Sequence, residues 1–322
     1  MTYYHTEDIS ETKEFDANEL DTKMKLCINL IIASFHKLEK THSLTFRSLV
    51  EEFFKAFLSS HKTIRLLLKE AQNDLDYASD AKSLVREQVE KVFVITLLLD
   101  DPNKWMSMYF KDGWRRFYKH SVLVEAEESK NLPRFAEWKA EAEQRLNFYQ
   151  QVSGVSADEK ELVDFKFNNF GVPTPAHLKG LDLYFPTPGQ VKELVTDVNT
   201  KTFLKRWHQE YEYLCGYSHI GEEKIMISAM KKTRLSKDDK NEYLQREIIL
   251  SSISISYISI ASTCTEAWKF LIKYDNDLSK SGDFLGAILD FWEDITQLGL
   301  MGKLFWNIHA KNVLPYIIEA CA

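Results

Sequence analysis

With 322 residues and a hydrophobic content of 44 %, the chain can bury a large core, which excludes a disordered or small disulfide-stapled protein. A formal net charge of −7 excludes a general nucleic-acid or anionic-membrane binder while leaving room for a local basic patch. Only 11 glycines and 7 prolines punctuate the chain, which favours long helices over many short strands and sets the expected fold class as an all-α, multi-helix bundle.

Residues 1–21 are acidic and polar and read as a loosely held N-terminal segment, followed by one large helical domain over 22–322. Residues 22–40 place Met24, Cys27, Ile28, Leu30, Ile31, Ile32 and Phe35 at helical spacing. Residues 43–60 repeat the pattern with Phe46, Leu49, Val50, Phe53, Phe54 and Phe57, and 61–75 continue it with Ile64, Leu66, Leu67 and Leu68.

Residues 83–101 begin amphipathic and end nearly all apolar, as a helix entering a core does. At about 3.6 residues per turn, Val85, Val89, Val92 and Thr96 form one stripe. Arg86, Glu90, Phe93 and Leu97 form its neighbour, while Glu87 and Lys91 point to water as an i,i+4 pair. Arg86 and Glu90 thus head an apolar face. Buried charges need partners, and this pair has more donors and acceptors than it can satisfy alone. It reads either as an ion pair orienting two helices or as a site with a perturbed carboxylate. Asp100-Asp101-Pro102 stops the helix.

Residues 104–120 alternate cations with large aromatics, the composition of an RNA-contacting surface, and Trp114, Arg115, Arg116 and His120 are its candidate binding residues. The plainer alternative is an amphipathic helix with aromatics in the core. Residues 133–151 form a charged helix with Phe135, Trp138, Ala142, Leu146 and Tyr149 on one side. Four of the seven prolines (Pro173, Pro175, Pro186 and Pro188) mark 172–189 as an extended excursion, ended by a helix start at Thr187-Pro188-Gly189-Gln190. Such a loop can cover a small-ligand pocket or serve as a connector.

Residues 201–221 as a helix place Leu204, His208, Tyr211, Cys215, Ser218 and His219 on one arc, flanked by Phe203, Trp207 and Leu214. Gly221 fits a helix C-cap, which puts His219 in the last turn. The motif-bearing core spans 45–225. C-terminal helices follow over 240–322. Within them, Ser252-Ile253-Ser254-Ile255-Ser256 alternates with a strand-like period of two inside helical flanks, and one long buried helix is expected, with a strand as the alternative.

Cys27, Cys215, Cys264 and Cys321 are far apart and form no C-x-x-C pair, which points to reduced cytoplasmic thiols. The N-terminus shows no secretion signal. No uninterrupted run of about 20 apolar residues marks a membrane span. No P-loop, G-x-G-x-x-G, G-x-S-x-G, H-E-x-x-H, EF-hand or DNA-binding motif is present, so no cofactor or metal is expected.

Arg86-x-x-x-Glu90, the apolar helix after it and Asp100-Asp101-Pro102, together with Tyr211-x-x-x-Cys215-x-x-x-His219, resemble a bacterial all-helical family of unknown function. Its members carry an R-x-x-x-E helix and a later Y-x-x-x-S-x-x-x-H helix, and Cys215 stands where serine is usual. The resemblance implies a bundle in which Arg86, Glu90, Tyr211 and His219 come together and brings no activity with it; these four are the candidate catalytic residues of the chain. More distantly, the chain resembles HEPN domains, helical dimers with an R-x4–6-H motif that often cleave RNA without metal. The literal spacing occurs at Arg115–His120. That likeness implies RNA and a second copy of the chain as partners. Three readings stand at this point: a metal-independent ribonuclease or defence effector, a non-catalytic scaffold or sensor held by a buried Arg–Glu–His network, and a small-ligand binder under the Pro173–Pro188 loop.

Overall fold

A computed structural model describes residues 17–38, 42–71, 76–126, 133–181, 183–218, 251–274 and 282–313. The described residues are helical apart from turns and connectors, and no strand occurs among them. The all-α multi-helix fold expected from the sequence is the fold observed. Contacts divide the chain into two compact units, one of residues 1–100 with 188–322 and one of 101–187.

In the first unit, α1 (Ala17–Lys37), α2 (Leu44–Glu70) and α3 (Asp76–Asp100) precede α7 (Pro188–Leu194), α8 (Val198–Ser218), α9 (Ser251–Leu271), α10 (Gly282–Gln297) and α11 (Leu300–Phe305). A π-helical turn, Trp306–Ala310, follows α11. Helix α1 begins at Ala17, inside the stretch read as a loose N-terminal segment, and Asp21 is engaged in the core contacts described below. Ser43 starts α2 by accepting the Phe46 amide. Phe46, Val50, Phe53, Phe54, Phe57, His61, Ile64 and Leu68 then recur at three- and four-residue steps and form its buried stripe.

Helix α3 packs against α2, α7, α8 and α9. Its valine stripe Val85, Val89 and Val92 is fully buried, as are Phe93 and Leu97. Helix α9 is buried on every side from Ser252 to Trp268. Each fully buried isoleucine on it contributes about 1.5–3 kcal/mol relative to exposure. The hydroxyls of Ser259, Thr263 and Thr265 are accommodated by donating to carbonyls one turn earlier in the same helix. The serine–isoleucine alternation therefore belongs to a helix with no wet face.

The end of α3 is fixed by Asp100, whose carboxylate accepts from the Thr196 amide and hydroxyl at 3.3 and 2.8 Å. Asp197 then caps α8 through the Thr200 amide.

In the second unit, α4 (Pro102–Ala126) packs against α5 (Phe135–Ser153) and α6 (Ala157–Asn168), followed by a 3-10 turn at Ala176–Leu178. Asp101 caps α4 at the Lys104 amide, and Ser156 with Glu159 forms a capping box on α6. Trp114, Val155, Leu162, Val163, Leu178 and Leu183 build the core of this unit. Among the described residues no helix is long and apolar enough to cross a membrane.

Candidate functional site

Helices α3 and α8 bring together three of the four residues expected to form the polar centre. The Tyr211 hydroxyl donates to Glu90 Oε1 at 2.9 Å, and Arg86 Nη1 lies 3.4 Å from the same oxygen. The Arg86 guanidinium carbon stands 6.0 Å from the centre of the Tyr211 ring, on the outer edge of cation–π range. Burial pushes the Tyr211 hydroxyl well above its ordinary value, and its hydrogen bond to Glu90 and the Glu90 charge push it further, so it is a firm donor. Burial works against the charge on Arg86, but Glu90, Cys215 and Tyr211 outweigh it and hold Arg86 firmly cationic. The centre is not sealed: 22 % of the Arg86 side chain and 36 % of the Glu90 side chain remain exposed. His219, the fourth member, lies outside the described residues.

The arc on α8 splits as helical geometry requires. Phe203, Leu204, Trp207 and Leu214 are fully buried, whereas His208, Tyr211 and Cys215 are half-buried along the edge. His208 extends the centre toward α7: its Nδ1 lies 3.3 Å from Lys192 Nζ and 3.5 Å from Glu212 Oε1. A Cβ on Gly189 would come within 3.2 Å of His208 Nε2, so a glycine there makes room for the ring.

A second charged group on the same two helices was not anticipated from the sequence. Lys82, one turn before Arg86, is almost fully buried and faces the Tyr213 ring at 5.3 Å. Burial raises the Glu210 carboxyl, and the Arg206 and Lys82 charges oppose that rise. Arg206 Nη2 lies 2.5 Å from Glu210 Oε1. Lys91, expected to face water beside Glu87, instead turns toward α2 and donates to Ser60 Oγ at 3.0 Å, because Ser60 offers an acceptor at the helix seam.

Two further buried networks lie in the first unit. His61 Nδ1 is 2.8 Å from Ser256 Oγ and His61 Nε2 is 3.1 Å from Asp21 Oδ1, an arrangement with the residue types of a hydrolase triad. Its wiring is wrong for nucleophilic attack. Gln88 Nε2 donates to the Phe57 carbonyl, which leaves Gln88 Oε1 to accept the Ser256 proton at 2.7 Å. Ser256 is completely buried and its proton is directed away from the imidazole. This network is a structural clamp joining α1, α2, α3 and α9, completed by Tyr257 and Arg65 on Asp21. The second network pairs His309 of the π-helical turn with Glu266 at 2.5 Å, with Thr200 donating to the same carboxylate. Burial opposes ionisation of Glu266, yet the hydrogen bond and charge of His309 bring it below its ordinary value.

In the second unit, the four candidate RNA-binding residues separate. Trp114 is only 2 % exposed and stacks at 4.9 Å on Tyr118, so its ring is core rather than a platform for a base. Arg115 pairs with Asp112 and lies 4.0 Å over the Tyr184 ring. Arg116 shares Asp112 at 2.8 Å while remaining largely exposed, and His120 is exposed. The crevice beneath residues 183–184 encloses about 190 Å³, open space at its mouth included, and its walls meet too closely to admit a water.

Among the described residues no group of three or more His, Cys, Asp or Glu side chains converges as a metal site. Cys27 and Cys264 are buried free thiols, and burial pushes Cys27 up to about 12. No family model matches the chain, and neither the curated proteins nor the solved structures yield a match.

Proposed function

We propose that the chain is an intracellular effector that cleaves RNA without a metal, with the α3–α8 centre as its active site. In this reading Arg86 stabilises the charge that develops on a phosphorane. His219 accepts a proton from the attacking ribose 2′-hydroxyl and returns one to the departing 5′-oxygen. The P–O5′ bond breaks as the P–O2′ bond forms, leaving a 2′,3′-cyclic phosphate and a free 5′-hydroxyl. Glu90 and Tyr211 hold the guanidinium in place.

The observation that supports this reading is the meeting of Arg86, Glu90 and Tyr211, from helices more than a hundred residues apart in sequence, at a point that solvent still reaches. The sequence likeness to HEPN domains points the same way and adds a homodimer to the proposal, while the likeness to the R-x-x-x-E family bears on which residues meet and not on the reaction. The test is incubation of total RNA with purified wild type, Arg86→Ala and His219→Ala in the presence of a chelator. Degradation by the wild type alone supports the reading; intact RNA in all three reactions sinks it.

A scaffold reading is favoured by the Tyr211–Glu90 bond itself, which joins two helices. It is the reading that stands if Arg86→Ala destabilises the fold by several kcal/mol and no RNA is cut.

A further inference from the structure

The second unit carries a cationic strip that the α3–α8 centre does not use. Arg115 and Lys119, one turn apart on α4, and Lys166 on α6 line a narrow crevice with Leu162, Leu183 and Tyr184, and no carboxylate is among the described residues that line it. Of the four cations Arg115, Arg116, Lys119 and Lys166, the two arginines are bound to one carboxylate, Asp112. Asp164, the next acid along α6, accepts the Tyr118 hydroxyl instead. Lys166 stands 5.2 Å from the Tyr184 ring centre and Arg115 stands 4.0 Å from it, and 41 % of Tyr184 remains exposed. On a chain of net charge −7, the described residues here place several cations around an accessible aromatic ring.

The crevice is too tight to enclose a nucleotide or any other small ligand. Its charges run across two helices at the surface, so the ligand they fit is an extended polyanion lying over the mouth. An exposed ring beside those charges adds a stacking surface, which favours unpaired bases over duplex.

We propose that this strip binds single-stranded RNA, with Arg116, Lys119 and Lys166 on backbone phosphates and Tyr184 against a base. The proposal rests on the reading of the chain as an RNA-acting protein and names a surface of the second unit that takes RNA.

The experiment is fluorescence anisotropy of the full-length protein with a short labelled oligouridylate, over a series of salt concentrations. Lys119→Glu/Lys166→Glu is expected to weaken binding by about tenfold or more at low salt. It is also expected to flatten the log–log salt slope by about 1.4, since each phosphate contact on a single strand contributes about 0.7. Tyr184→Ala should weaken binding about fivefold or more, and Tyr184→Phe should leave it unchanged. Circular dichroism melts of each variant verify the fold. The proposal is overturned if the wild type does not bind, if the double variant keeps both affinity and slope, or if duplex DNA or anionic vesicles bind as well as the oligouridylate. Binding with these signatures but no cleavage by the wild type would remove the ribonuclease reading and leave this surface standing. Cleavage with unaltered binding in the double variant would do the reverse.

Discussion

Removing the Tyr211 hydroxyl probes the joint between α3 and α8 directly. Tyr211→Phe deletes the 2.9 Å bond to Glu90 Oε1 and keeps the ring that packs edge-on against Phe93. A hydrogen bond to a charged acceptor contributes about 1.5–3 kcal/mol when water is excluded. Glu90 is 36 % exposed, so water can replace the lost donor in part, and the expected loss falls to about 1 kcal/mol. Glu90→Gln should cost a similar ~0.5–1 kcal/mol by weakening both the Tyr211 bond and the 3.4 Å pairing with Arg86. Because the two changes act on the same bond, the double variant should be less destabilised than the sum of the singles by about 0.5 kcal/mol. Urea denaturation of the four proteins, followed by circular dichroism, measures this coupling. Since burial and Glu90 push the Tyr211 hydroxyl far upward, the coupling should be the same at pH 7 and pH 9. Additive losses, within about 0.3 kcal/mol, would show that the two side chains do not act on each other in solution.

Gln88→Leu should destabilise by about 1–3 kcal/mol, because in a sealed interior the Phe57 carbonyl loses its side-chain donor and the Ser256 proton loses its acceptor. Adding Ser256→Ala should recover part of that loss in the same denaturation assay. Burial alone would raise the Asp21 carboxyl, but hydrogen bonds from His61 and Tyr257 and the charges of His61 and Arg65 bring it down to about 2 from the ordinary 3.8. Its contribution, trimmed for partial solvent screening to about 1–2 kcal/mol, is complete above pH ~4 and is lost as the pH falls toward 2. Asp21→Asn should flatten that part of the acid-stability curve. At Gly302 a Cβ would meet the Ile295 carbonyl oxygen at 2.0 Å, so Gly302→Ala should lower the melting temperature sharply. Gly286 is helical with nothing within 4 Å, so Gly286→Ala should stabilise by about 0.5–1 kcal/mol.

Helix positions were legible because apolar spacing and caps act locally. The apolar residues of the α3 stripes are buried as read while Arg86 and Glu90 stay partly exposed, and Pro102 opens α4 immediately after α3 ends. The serine–isoleucine run of α9 was ambiguous because a helix buried all round has no amphipathic period to display. The Arg86–Glu90–Tyr211 meeting was legible through paired polar residues on otherwise apolar faces. Gln88 carried a similar signal, one turn from Val85 and Val92, and passed unnoticed beside the charges. Lys82 gave less warning: burial of a lysine depends on Glu210 and Tyr213 arriving from another helix, which local spacing does not report. The His61–Asp21 and His309–Glu266 pairs join residues 40 and 43 positions apart, and no periodicity links them. Trp114 was misplaced as a base-stacking ring because composition does not tell which side of α4 faces its own core.

The most direct test of the RNA-cleaving centre is the end chemistry of a defined RNA exposed to the protein under chelating conditions. The account predicts fragments ending in 2′,3′-cyclic phosphate with wild type, and none with Arg86→Ala or His219→Ala proteins that melt as the wild type does. Uncut RNA with the wild type, or equal cutting by the Arg86→Ala protein, would contradict it.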